Sequence, residues 1–254
     1  MKKMKDSEYF AIDKMSTSSL KRFAKSPAHY MTPFNPTSSM NTGTLIHTAI
    51  LEPEVFVKKY VVERAEFKGM NKNNKEYKEW KGSMIDSGKE IVSQDDLDMI
   101  EQIKLNLSIM KYEDISLLEL LEQSQRELAL FGTINDIEFK GKLDAINENY
   151  KVLIDLKTCQ DSEFFYHDAR KLKYNWQAWI YRELYLQNTL DCFDFLFITI
   201  ETKKPYGCRL FLANDDTYNR AGKQVNNCLD RYKAWIDDNK PYRVYSDDVS
   251  ILDI

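Results

Sequence analysis

The sequence predicts an α/β fold, a single domain in which helices flank a mixed central β-sheet. Three observations carry that expectation. Apolar and polar residues alternate through three consecutive segments, Arg126 to Ile134, Ile137 to Ile146 and Lys151 to Thr158, which is the period of half-buried strands. Stretches of helical period lie on both sides of them. No internal repeat or low-complexity linker divides the 254 residues, and with 43% hydrophobic and 30% charged residues the chain can bury one substantial core.

Taken in order, the run "MSTSSLKRFAKSPAHY" at Met15 to Tyr30 predicts a capped helix: Ser and Thr cluster at its start, Leu20 and Phe23 share one face, and Pro27 marks its end. A second helix is expected through "TGTLIHTAILEP", where Leu45, Thr48, Ala49 and Glu52 keep helical spacing and Pro53 closes it. His47 sits inside this apolar helix. From Phe67 to Lys81 the sequence turns rich in Lys and Asn, so a mobile loop or the solvated start of a helix is expected, with Lys68, Lys72, Lys75, Lys78 and Lys81 as a stripe facing solvent. Ser93 to Glu122 reads as helix, opened by a capping box of Ser93 with Asp96 three residues on. The three alternating segments then form a meander. Beyond them come a long helix through "ARKLKYNWQAWIYRELYLQN", a strand at "FDFLFITIET", another around "GCRLFLA", and an amphipathic helix from Asp215 to Asp237. The part up to about residue 124 is thus mainly helical, and the sheet with its flanking helices takes the rest.

Composition narrows the function. No stretch approaches the roughly 18 apolar residues of a membrane span, and the start MKKMKDSEYF lacks the apolar centre of a secretory signal, so a cytoplasmic location is expected. Cys159, Cys192, Cys208 and Cys228 stand far apart with no C-x-x-C pair. They point to reduced structural thiols rather than a zinc finger or a disulfide framework, although four isolated thiols could still converge on a cluster. A net charge of -4 argues against coating nucleic acid by bulk electrostatics, so any nucleic-acid site must be local.

One run stands out. "GKLDAINENYKVLIDLKTCQD", Gly141 to Asp161, sets two aspartates and a lysine among residues that would otherwise make core strands, where unpaired charge is costly. Asp144 falls on the polar face of the second strand, while in the third Leu153, Asp155 and Lys157 share the face opposite Val152, Ile154 and Leu156. With "NENY" as the turn and Ile146 opposite Lys151, Asp144 is expected to face Leu153, leaving Asp155 as its diagonal neighbour about 7 Å away or less. Lys157 projects from the same face about 6.6 Å further along. Two carboxylates so close repel, so one must take a proton or a cation must neutralise both. A hard divalent ion such as magnesium accepts oxygen ligands and keeps positions for water and phosphate. A solvated sheet face would carry such charges too, but the VLIDLK run is too apolar for an edge of that kind.

These residues resemble the PD-(D/E)XK nuclease core. Leu143-Asp144 stands where the family has Pro-Asp, and Asp155-Leu156-Lys157 matches its acid-x-Lys. Gln177-Ala-Trp-Ile-Tyr181 is similar to the Gln-x-x-x-Tyr element of RecB-like members, "GTLIHTAILEPEVF" to their upstream helix with its histidine, and "STSSLKRFAKSPAHY" to their N-terminal segment. The matches run in the family's order from about Met15 to Tyr185. Within the family, Gly43 to Glu54 (Gly-Thr-x-x-His-x-x-x-Leu-Glu-Pro-Glu) most resembles the RecE-like, exonuclease VIII type of phages and prophages. The chain departs from the pattern in lacking Pro before Asp144 and in having Asp rather than Glu at 155.

The resemblance implies a restriction-endonuclease-like fold and a metal-dependent 5′ to 3′ exodeoxyribonuclease that acts on linear double-stranded DNA and leaves 3′ single-stranded tails for recombination. It implies that Asp144 and Asp155 bind Mg2+ or Mn2+ with the backbone carbonyl of Leu156, that His47 approaches the same metal, and that Glu127 is a further acid near it. Lys157 would orient or deprotonate the attacking water and offset charge on the scissile phosphate. Gln177 and Tyr181, one turn apart on a helix face, would hold the lysine or the nucleotide in position. Arg170, Lys171 and Lys173 form a local positive cluster suited to DNA phosphates, and Lys72 and Lys75 would add a clamp from the lysine-rich segment. The implied partners are double-stranded DNA ends, further copies of the chain in a homo-oligomeric ring, and a RecT-like single-strand annealing protein. An endonuclease on the same fold and a non-catalytic DNA-end-binding module stay open as alternatives, the second disfavoured by the costly acidic pair.

Overall fold

A computed structural model describes residues 1–33 and 38–244, the side chains of 38–40 excepted. The chain opens with a two-residue strand, β1 (Lys2–Lys3), and a short helix, α1 (Asp6–Ala11). Helix α2 (Thr17–Lys25) starts where expected, on a reciprocal cap: Ser16 Oγ accepts the Ser19 N–H, and the Ser16 N–H donates back to Ser19 Oγ. Pro27 stops that helix but also begins another. With Ser26 as N-cap, it opens α3 (Pro27–Met31), where its missing N–H costs nothing. The pattern recurs at Pro53, which separates α4 (Ser38–Leu51) from α5 (Pro53–Lys59).

The lysine-rich segment is ordered as helix from Lys75. After β2 (Tyr60–Val62), Phe67 buries against Tyr77 and Trp80 of α6 (Lys75–Asp86), an aromatic cluster that fixes the segment, and β2 pairs in parallel with β3 (Glu90–Val92) beside it. Helix α7 (Gln94–Ile109) carries the expected Ser93–Asp96 cap but does not run on to Glu122. A hairpin, β4 (Lys111–Tyr112) and β5 (Ile115–Ser116), turns at Glu113 with φ of +53°, and α8 (Leu117–Glu122) follows on a second capping box, Ser116 with Glu119.

Strands β6 (Gln125–Ile134), β7 (Ile137–Asn147) and β8 (Val152–Cys159) form the expected antiparallel meander. The long helix expected next is two, α9 (Phe165–Lys171) and α10 (Tyr174–Thr189), because the backbone turns left-handed at Lys173 (φ +52°). This crossover returns the chain to β9 (Asp194–Glu201), parallel to β8. Strand β10 (Cys208–Leu212) pairs antiparallel with it, and α11 (Asp215–Asp237) closes the fold. The mixed sheet has the order β1-β6-β7-β8-β9-β10. Its faces bury against different helices. Leu153, Phe195 and Phe197 pack with α2, α10 and α11, whereas Val152, Ile154 and Leu156 pack with α4, α7 and α8, as alternation along β8 requires. Among the described residues no helix is long and apolar enough to cross a membrane, and all four cysteines are free thiols.

Candidate active site

The site follows from the register of three adjacent strands. Between β7 and β8 that register is two residues away from the expected one: Ile146 lies opposite Leu153, and Asn147 opposite Val152. The cause is the turn. Asn147 Oδ1 accepts the N–H groups of Asn149 and Tyr150, so Asn147 ends the strand and the four-residue turn sits one residue further along than "NENY" suggests, at 148–151. The last pair of the ladder is Ala145 with Ile154, and one step further the same register sets Asp144 opposite Asp155 rather than diagonal to it. Between β6 and β7, Arg126 faces Ala145 and Leu128 faces Leu143, which leaves Glu127 level with Asp144. Glu127, Asp144 and Asp155 therefore form a row across β6, β7 and β8. Glu127 holds a φ of +60°, unusual for a residue with a side chain, and the ladder is interrupted there.

Each acid in the row is compensated differently. Asp144 Oδ2 accepts the Leu156 N–H at 2.7 Å and lies 3.6 Å from His47 Nδ1. Burial, then the charge of Asp155, pushes the Asp144 pKa up. Asp155, only 1% exposed, accepts a hydrogen bond from Gln177 Nε2 on Oδ1 at 2.5 Å. Its Oδ2 is ion-paired to Lys157 Nζ at 2.5 Å. Burial opposes the Lys157 charge, yet Asp155 and Asp144 together hold its pKa above the ordinary value, so it stays an ammonium. Burial, then Lys157, lowers the His47 pKa and keeps the imidazole neutral, while its hydrogen bond with the Leu156 backbone works the other way. Glu127 is ion-paired to Lys142, which also donates to Asp6 at 2.7 Å; burial, then Asp144, raises the Glu127 pKa.

Helix α10 lies across this row. Gln177 reaches the acid directly, whereas Tyr181, one turn on, is buried against Gly141 of β7 and supports the helix from behind. Two groups beside the site were not anticipated from the sequence. Tyr174 begins α10, and its ring receives Lys157 Nζ and Lys21 Nζ at 5.0 Å each. Burial, then Lys157, drives the Lys21 pKa down to about 7. A lysine directly after the core residue Leu20 was the available signal for Lys21. Lys142 was legible only as one more polar residue of an alternating strand.

Of the expected site residues, the structure brings His47, Glu127, Asp144, Asp155, Leu156, Lys157 and Gln177 together at one end of the meander. Arg170 and Lys171 end α9, and Lys173 lies over the Trp176 ring at 4.9 Å, so these three flank the Gln177 helix. Lys72 and Lys75 belong to the aromatic satellite around Phe67, where Lys72 is ion-paired to Glu63 and Lys75 lies 3.7 Å from Glu79.

Among the described residues no three His, Cys, Asp or Glu side chains converge as a ready metal cluster. The donors nonetheless suit a hard divalent ion. Asp155 Oδ2 is a buried carboxylate oxygen whose one partner is Lys157, Asp144 stands across from it with its pKa raised, and His47 is a neutral imidazole beside Asp144. The Lys157 ammonium here supplies part of the compensation that a cation would supply.

Comparison with known proteins agrees with the fold. The family model of the PDDEXK-like domain of unknown function (DUF3799) matches residues 16–247. A crystal structure of a protein from Eubacterium rectale, provisionally named an exonuclease, superposes with a TM-score of 0.63 at 14% identity, covering 98% of this chain and 97% of that one. A phage-related exonuclease from Haemophilus somnus is matched over 87% of this chain and 95% of that one at 12% identity, with a TM-score of 0.37. No curated protein matches in sequence.

Proposed function

The chain belongs to the PDDEXK-like family of the matched domain, and we propose that it is a divalent-metal-dependent exodeoxyribonuclease that degrades the 5′ strand of linear duplex DNA and leaves 3′ single-stranded tails. The observation that carries the reading is the buried acid of β8. Asp155 has one oxygen fixed by Gln177 and the other paired with Lys157, with Asp144 level with it on the next strand. A purely structural ion pair gains nothing from a second carboxylate set level with the first, whose repulsion costs stability unless a cation is shared.

Asp144, Asp155, His47 and the Leu156 carbonyl would hold Mg2+ or Mn2+, which when bound lowers the pKa of water and steadies the leaving oxygen. The chain's own groups do the rest. Lys157, kept protonated by the two acids, offers a fixed positive charge to the scissile phosphate and orients the attacking water. Gln177 holds the Asp155 carboxylate in one orientation, and the Leu156 N–H does the same for Asp144. Glu127, at the far end of the row, is ion-paired to Lys142, which offsets part of its repulsion with Asp144. Arg170, Lys171 and Lys173 would receive the DNA backbone ahead of α10. In the same reading the chain works on DNA ends as a ring of identical copies and passes its tails to a single-strand annealing protein. The resemblance of Gly43 to Glu54 to RecE-like nucleases supports those points.

The test is to incubate the protein and magnesium with linear duplex and with covalently closed circular DNA, then to repeat it with Lys157→Ala. We expect the linear form alone to disappear, and the variant to lose at least about a hundredfold in rate, the scale of removing one charge-stabilising donor. Cutting of the closed circle would assign an endonuclease. If neither substrate is cut, the catalytic reading fails.

A further inference from the structure

On the α10 side of the sheet, where Phe197 lies beside Asp155, is a cavity of about 620 Å³ that takes no part in the hydrolytic step, although Arg170 and Lys173, already proposed to receive the DNA backbone, stand in its wall. Its walls are aromatic and cationic. Phe165, Tyr166 and Phe211 line it together with Arg170, Lys173 and Arg220, and no aspartate or glutamate is among the lining residues, although the chain carries a net charge of -4. Tyr166 is 60% exposed at the cavity mouth, with the His167 ring against one side of it at 3.9 Å and the rest of the ring open to solvent. Phe165 and Phe211 form the floor, with ring centroids 4.7 Å apart. Phe165 also stacks on Tyr174 at 5.7 Å, the ring that receives Lys157 and Lys21. The cavity thus continues from the lysine side of the candidate active site.

We propose that this cavity binds a short stretch of single-stranded DNA, its bases against Tyr166 and Phe211 and its phosphates toward Arg170, Lys173 and Arg220. The choice of occupant follows from the walls. Exposed ring faces gain from stacking only on bases that are themselves unstacked, which excludes intact duplex, and an acid-free cationic lining favours a polyanion. Arg220 has one exposed partner, Asp216 at 3.5 Å, a contact that a phosphate can displace at small cost. The identity of the strand, the unpaired one beside the cutting point, rests on the nuclease reading above; the chemistry of the cavity does not.

The experiment is fluorescence anisotropy on the full chain with EDTA present, using a labelled oligo-dT, an abasic oligonucleotide of equal length and a blunt-ended duplex. Tyr166→Ala, at an exposed position, is expected to weaken oligo-dT about tenfold, the scale of one stacked base, and to leave the abasic strand unchanged. Arg220→Ala is expected to lower the slope of log affinity against log salt by about one for oligo-dT. Equal binding of oligo-dT and the abasic strand by the wild type overturns the proposal, as does oligo-dT binding indifferent to Tyr166. A blunt duplex that depends on Tyr166 as strongly as oligo-dT overturns it in favour of duplex docking. Magnesium-dependent loss of linear duplex, assayed on the same preparation, separates the two readings. A chain that binds oligo-dT through Tyr166 without cutting sinks the nuclease and keeps the cavity, and the reverse result sinks the cavity alone.

Discussion

Asp155 shows how a single buried charge is made tolerable. Taking a carboxylate out of water costs several kcal/mol unless partners replace the lost hydration, and here Lys157 supplies the charge while Gln177 supplies a hydrogen bond. Gln177→Ala removes only the positioning bond. We expect a ten- to hundredfold loss in apparent metal affinity or rate, the usual range for a residue that orients a ligand, with an unchanged far-UV circular dichroism spectrum; an unaltered magnesium titration would contradict that role. Lys21 gives a pH test of the same neighbourhood. Its pKa falls from 10.5 to about 7 on folding, so between those values the unfolded chain binds a proton that the folded chain does not. The penalty for carrying the charge is therefore complete below about pH 7 and fades as pH rises toward 10.5. Lys21→Met keeps the apolar stem and removes the charge, so its thermal midpoint should exceed that of the wild type most at pH 6 and least near pH 10. A gain of equal size at both pH values would show that charge is not the cause.

At the scale of elements, close approach of α10 to the meander holds the acids in line. A Cβ at Gly141 of β7 would stand 2.8 Å from the Tyr181 ring, a distance that real Cβ atoms do not adopt, so helix and strand fit together only with glycine there. Gly141→Ala should cost about 1–3 kcal/mol in urea unfolding and reduce activity by shifting the helix that carries Gln177. An unchanged midpoint would mean that the ring moves freely. The helix ends were readable in the sequence where caps carry them, as with Ser16 and Ser93. The cap at Ser116 with Glu119 was equally readable, and it would have divided the helix expected from Ser93 to Glu122. The break at Lys173 was not, because a left-handed lysine leaves no mark in hydropathy.

For the molecule as a whole, the two sheet faces bury their own cores, and burial also decides the chemistry of the cysteines. Burial raises the thiol pKa of Cys159, and those of Cys208 and Cys228 to about 12 and about 11, while Cys192 is exposed. One thiol per chain should therefore react rapidly with a disulfide reagent at pH 8, and four after unfolding; two or more fast thiols in the native protein would contradict the packing. The N-terminal segment is fastened at the same scale by Lys140, nearly buried, whose ammonium donates to the carbonyls of Tyr9 at 3.0 Å and Ile12 at 2.7 Å. Nothing in its alternating strand marked it for that task.

By itself the sequence determined the α/β class, the meander, the two faces of β8 and the nearness of Asp144, Asp155 and Lys157, because periodicity is a local property of the chain, while Gln177 entered through the resemblance to a nuclease family. Tertiary structure alone decided that Asp144 stands opposite Asp155 rather than Leu153, that Glu127 joins them in a row, and that Lys21 and Tyr174 crowd Lys157. The physical reason is range. A two-residue change of register leaves every side chain on its expected face, so hydropathy cannot detect it, whereas the hydrogen bonds of one turn asparagine and the packing of distant helices fix it.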